Sequence, residues 1–139
     1  VLGAIVQYLC DHYGEGRLQP KPGSPAALKH LQLMHFAEGS AMIPLLLRIY
    51  VSRLGEGGAP LHERIDDQVV SYFDYLESIL QPSGYFIGDD LTAADIMLSF
   101  PVILATQQPE GKRWPKLCAF VESIKARPAW QRAMGVTEG

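Results

Sequence analysis

Residues 88–96 read GDDLTAADI, and the run behind them, MLSFPVILAT (97–106), is the most apolar of the chain. Thr92 at a helix N-cap explains both features. Its hydroxyl is placed to accept from the backbone N–H of Asp95, while the Asp95 carboxylate reaches back to the N–H of Thr92, a capping box with Asp in place of the commoner Glu. Leu91 before the cap and Ile96 just inside it are spaced as a hydrophobic staple. The carboxylate also faces the positive end of the helix dipole. A helix apolar on nearly every side belongs at the centre of a core, where its first N–H groups must be satisfied by side chains. Capping is therefore the preferred role for Asp95 over that of a catalytic acid. Pro101 removes one intrahelical bond, so a bend is expected near Met97–Pro101.

Working outward, no strand pattern occurs, and six helical segments are punctuated by Pro and Gly. The first is expected over Gly3–Tyr13, with Ile5, Leu9 and His12 at helical spacing and Gly14 as its stop. The linker GEGRLQPKPG (14–23) follows. Ser24-Pro25 opens the second helix, which should run to about Leu54 with a kink at Pro44. Gly39 within it is expected to allow close helix packing. GEGGAP (55–60) reads as a loop rather than a phosphate cradle, because no strand precedes it and no GK[ST] follows. Pro60 to Leu80 carries the stripe Ile65, Val69, Tyr72, Leu76, Ile79. Pro82 and Gly84 end it. A fifth helix begins near Pro115 with Leu117, Val121 and Ile124 on one face, Arg127-Pro128 breaks it, and AWQRAM (129–134) adds a last short turn before a frayed GVTEG. The expected fold is an all-α helical bundle.

The totals exclude several classes. The chain has 139 residues, 47% hydrophobic and 19% charged, with a net charge of −3. Its Lys and Arg are scattered, with no cluster to release phosphate counterions, so no nucleic-acid partner is expected. The uncharged segment Ile96–Pro109 is too short to span a bilayer, and no secretory signal is visible, so no membrane partner and a cytoplasmic location are expected. Cys10 and Cys118 sit in apolar stretches without a CxxC and read as free thiols. His30 and His35 are five apart on different faces and no metal-ligand spacing occurs, so no metal is expected. Serines 71, 78 and 99 have no His/Asp spacing that marks a nucleophile.

The cap motif resembles the G-[DE]-x-[ST]-x-A-D-[IL] pattern that opens the buried helix in the C-terminal domain of cytosolic glutathione transferases. Gly88-Asp89-Asp90-Leu91-Thr92-Ala93-Ala94-Asp95-Ile96 carries it. WPKLCAFVESIKARPAWQRA (114–133) looks like that family's next helix and its RPA break. AAL…HFAEGS…PLL (26–47) resembles the long helix of a bacterial and fungal subgroup. GAIVQYLCDHY (3–13) is similar to the last helix of the family's N-terminal thioredoxin-like domain, where the pattern is E-S-x-A-I-x-x-Y-L. The resemblance implies a remnant of that helix at 1–13, a linker at 14–24, the all-α domain at 25–135 and a tail at 136–139. It implies glutathione as co-substrate, a small apolar electrophile as its partner, a homodimer, and detoxification as the role.

Two departures accompany it. The Glu and Ser that hold the γ-glutamyl end in the family fall on Val1 and Leu2, and the thiol-activating strand-rich domain is expected to be missing from this chain, which then carries no catalytic residue. What the resemblance leaves here is the electrophile side. Leu31, His35, Glu38 and Met42 step by four, three and four, and a His and a Glu on an apolar stripe require partners or an open cleft. His35, Glu38, Ser40 and Met42 are thus candidates for the electrophile wall or a dimer cleft; the alternative is a polar strip on a solvated face. As a whole the chain reads as the helical half of a transferase, as a non-catalytic helical module for a protein partner or apolar ligand, or as a fragment whose exposed Ile5, Tyr8 and Leu9 would self-associate.

Overall fold

The structure, a computed structural model, describes residues 1–137. Among these residues there is no β-strand. The helices are α1 (Leu2–Tyr13), α2 (Pro25–Phe36), α3 (Met42–Ser52), α4 (Ala59–Ile79), α5 (Ala93–Thr106), α6 (Pro115–Lys125) and α7 (Pro128–Thr137). α2 and α3 are two parts of one rod joined by a π-helical turn, Ala37–Ala41. Short 3₁₀ turns, Gly55–Gly58 and Pro109–Arg113, precede α4 and α6.

α5 is the hub: it packs against α1, α2, α3, α4 and α6. Ala94, Leu98 and Val102 are buried completely. The burial is not all-round, however. Ile96 is 42% exposed and Phe100 57% exposed, so one stripe of α5 reaches the surface. The reason is geometric: the neighbouring segments still leave one side of the rod uncovered, and residues four apart share it. Pro101 lies inside the helix, which continues through it to Thr106.

The other elements start and stop for local reasons. The Ser24 hydroxyl accepts from Ala27 N–H at 3.2 Å, and Pro25 takes the first helical position of α2. α4 buries Ile65, Val69, Phe73 and Leu76, and leaves Tyr72 and Ile79 half-buried. Gly84 (φ +86°) and Gly88 (φ +61°) turn the chain between α4 and α5 in the left-handed region that glycine adopts freely. α6 has no cap of its own. Glu77 of α4 supplies it, accepting from Lys116 N–H at 3.0 Å and Leu117 N–H at 2.9 Å. Beside it Asp74 takes the Trp114 indole N–H at 2.7 Å and a two-pronged contact from Arg113. Those bonds hold the Asp74 carboxyl below its usual range, through Arg113 first and Trp114 second. Arg48 of α3 ties Asp66 of α4 to Glu110 of the 3₁₀ turn.

Two expectations change. α1 turns Val6 and Cys10 inward and leaves Ile5, Leu9 and His12 exposed. Gly14 does stop the helix as expected, as a right-handed C-cap (φ −78°), and the left-handed residues come later, at Glu15 and Gly16. α7 runs on to Thr137 where fraying was expected after Met134; Glu138 and Gly139 lie outside the described residues. Cys10 and Cys118 are both free thiols, the first buried and the second half-buried.

Candidate functional site

The candidate site lies where α1 crosses the α2–α3 rod. A groove of about 490 Å³ opens there, with Gly3, Ala4 and Gln7 on one wall and Leu31, His35, Glu38 and Gly39 on the other. Met34, 5% exposed, is its apolar floor. Glu38 Oε2 accepts from Gly3 N–H at 3.4 Å, which ties the carboxylate to the backbone of α1 across the groove. The groove thus combines an apolar base with one imidazole and one carboxylate on its rim, which suits a small apolar ligand held by a polar edge.

His35 and Glu38 line this groove; Ser40 and Met42 do not. Met42 is half-buried against the core and Ser40 is half-buried. The π turn is the cause. It holds one more residue per turn than an α-helix, so every position after it is rotated relative to a regular helix. The even step from Leu31 through His35 and Glu38 ends there. Pro44 removes a donor, and its ring would crowd the carbonyl of Ser40; the π turn immediately upstream is where the rod absorbs that misfit. Gly39 does not serve helix packing. A Cβ there would meet nothing within 4 Å, because the residue faces the open groove.

A second constellation sits at the start of α5. Asp95 is fully buried and collects three bonds: Phe86 N–H at 2.8 Å, Thr92 N–H at 2.7 Å and the Thr92 hydroxyl at 2.8 Å. Thr92 and Asp95 together form the capping box. Burial raises the Asp95 carboxyl above its usual range, against the pull of the Phe86 and Thr92 donors. The first amide of the helix, Ala93 N–H, is closed from the linker by the Leu18 carbonyl at 2.7 Å. Leu91 is half-buried against the core while Ile96 turns outward, so the two staple positions do not share one apolar layer. Near this junction lies His30, buried, with its Nε2 in no hydrogen bond. Sequence reading weighed His30 only as a metal ligand and passed over the carbonyl of Leu18, because each acts across a loop and neither carries a local pattern.

Among the described residues no three His, Cys, Asp or Glu side chains gather as a metal site, and no helix is long and apolar enough to cross a membrane. A family model described as "Glutathione S-transferase, C-terminal domain" matches residues 58–131, just over half of the chain. The sequence is 26% identical to Glutathione S-transferase 1 of Saccharomyces cerevisiae, over 96% of this chain and 67% of that protein. It is 28% identical to Glutathione S-transferase 3 of Schizosaccharomyces pombe, over 91% of this chain and 58% of that protein. A crystal structure of a glutathione S-transferase from Actinobacillus pleuropneumoniae superposes with a TM-score of 0.85 at 28% identity, covering 99% of this chain and 63% of the other. The chain spans between 58% and 67% of the length of these relatives.

Proposed function

This chain belongs to the glutathione S-transferase family through its C-terminal domain, and from that membership we propose that it is the electrophile-binding half of a transferase joining the glutathione thiol to small apolar electrophiles. The observation that carries the reading is the groove at the π turn, with His35 and Glu38 on its rim. In such a reaction the thiol must be activated and the electrophile held beside the sulfur in attack geometry. The second task falls to this groove, and the first to a thioredoxin-like domain of which residues 1–13 are the closing helix. Residues 14–24 link the two domains. The whole protein works as a cytoplasmic homodimer in detoxification, with glutathione as co-substrate and no bound cofactor.

The test is conjugation of glutathione to 1-chloro-2,4-dinitrobenzene, by the chain alone and by the chain joined to the thioredoxin-like domain of its budding-yeast relative. Turnover is expected from the joined protein and not from the chain alone. Gly39→Trp, which fills the groove from an open position, is expected to lower kcat/KM about tenfold or more, equivalent to about 1.4 kcal/mol of lost transition-state binding. A joined protein that folds and turns over equally well with Trp at 39 removes the groove from the reaction. The second reading, a non-catalytic module for a protein partner or apolar ligand, is favoured by Val1 and Leu2 standing where the family places Glu and Ser. A folded joined protein with no turnover and no retention on immobilised glutathione selects it.

A further inference from the structure

We propose that Glu38 is a charge filter: its carboxylate turns away electrophiles that carry a negative charge and leaves the groove to neutral ones. The inference rests on the reading of this groove as the electrophile site and adds the residue that sorts its ligands.

The carboxylate is placed from both walls of the groove. Glu38 leaves the rod within the π turn Ala37–Ala41, and its Oε2 accepts from Gly3 N–H of α1 at 3.4 Å. A Cβ added to Gly3 would stand 3.6 Å from the same oxygen. The charge is thus held between α1 and the rod, above the Met34 floor, even though the side chain is 44% exposed.

Nothing of opposite sign is built in to receive an anion there. No lysine or arginine is among the residues that line the groove, and its apolar surface comes from Ala4, Leu31 and Met34. His35, on the same rim, carries positive charge or none, so Glu38 is the source of negative charge in the lining. α1 adds the α-amino group of Val1, which lies 3.8 Å from Glu38 Oε2 and pairs with it.

Two costs therefore fall on an anionic ligand and neither on a neutral one. An anion seated on the Met34 floor gives up water for an apolar surface, and it faces a like charge at the rim. A neutral ring of the same shape covers the floor and leaves the carboxylate to Gly3 and solvent. Discrimination of this kind comes from the repulsive group rather than from a new attraction.

Two unreactive probes with one ring separate charge from shape: 1,3-dinitrobenzene and 3,5-dinitrobenzoate. Binding is followed by NMR on the full chain, at the Met34 methyl and the Gly39 amide, with Val1 acetylated so that its amine does not offset Glu38. The benzoate is expected to bind about tenfold more weakly, a strength between those of a like-charge contact in bulk water and at a protein surface. Raising the ionic strength from about 0.01 M to about 1 M should shrink the gap. Glu38→Gln, whose amide oxygen can still accept from Gly3 N–H, should bring the two affinities together. Equal affinities in the parent chain, a gap unchanged in Glu38→Gln, or a gap indifferent to salt overturns the filter and leaves the electrophile reading standing. No response at Met34 or Gly39 to either probe overturns both. Discrimination by the chain without turnover in the joined protein removes the reaction and keeps the filter.

Discussion

Two side chains close the leading turn of α5, and their removal should cost unequal amounts. Thr92→Ala takes away a cap hydroxyl and should lower unfolding free energy by about 1–2 kcal/mol. Asp95→Ala strands the buried N–H groups of Phe86 and Thr92 together, at about 1–3 kcal/mol each, so a loss of about 3 kcal/mol or more is expected. Urea titrations of the two variants check the order, and a smaller loss at 95 than at 92 would show that the carboxylate is not the main seal. The pairing of Thr92 with Asp95 was legible in sequence because the box spans three residues and depends on nothing outside the turn. The Phe86 donor and the Leu18 carbonyl were not, since which loop returns to a helix end is decided by packing. The burial of His30, weighed in sequence only as a metal ligand, was hidden for the same reason: a lone histidine has no spacing to betray the bond it lacks.

At the scale of elements, the long rod from Pro25 to Ser52 is where reading and structure part. Its start was plain from Ser24-Pro25, and its irregularity was plain from Pro44. The form of the irregularity was not, because a kink and a π turn relieve the same steric conflict and only the neighbouring helices choose between them. That choice moved Met42 and Ser40 off the face expected of them and left His35 and Glu38 at the groove. Gly39 offers a direct check. Its Cβ position is empty and its backbone is not left-handed, so Gly39→Ala should stabilise the chain by about 0.5–1 kcal/mol through lost unfolded-state freedom. Thermal unfolding measures it, and destabilisation would mean that the turn needs glycine for a reason other than space.

At the scale of the whole molecule, α1 keeps an apolar face outward: Leu2, Ile5, Tyr8 and Leu9 are each more than half exposed. Such a face on a free chain should drive association. Light scattering at rising concentration is expected to show mass growth, and Ile5→Lys with Leu9→Lys to restore the monomer mass; growth that survives the double change places the sticky surface elsewhere. The helical class of the fold was readable from period and punctuation, and the resemblance supplied the arrangement that periodicity alone does not contain. Contacts such as Arg48 to Glu110, 62 residues apart, have no local signature at all. The same distinction governs the sequence of assembly. α5 brings its own stopper in Thr92 and Asp95, whereas the leading amides of α6 wait for a carboxylate 39 and 40 residues upstream. Closing that long loop must precede any gain from it, so α6 can nucleate only after α4 is in place, and a nascent chain emerging without α4 would carry a helix that frays from its first turn.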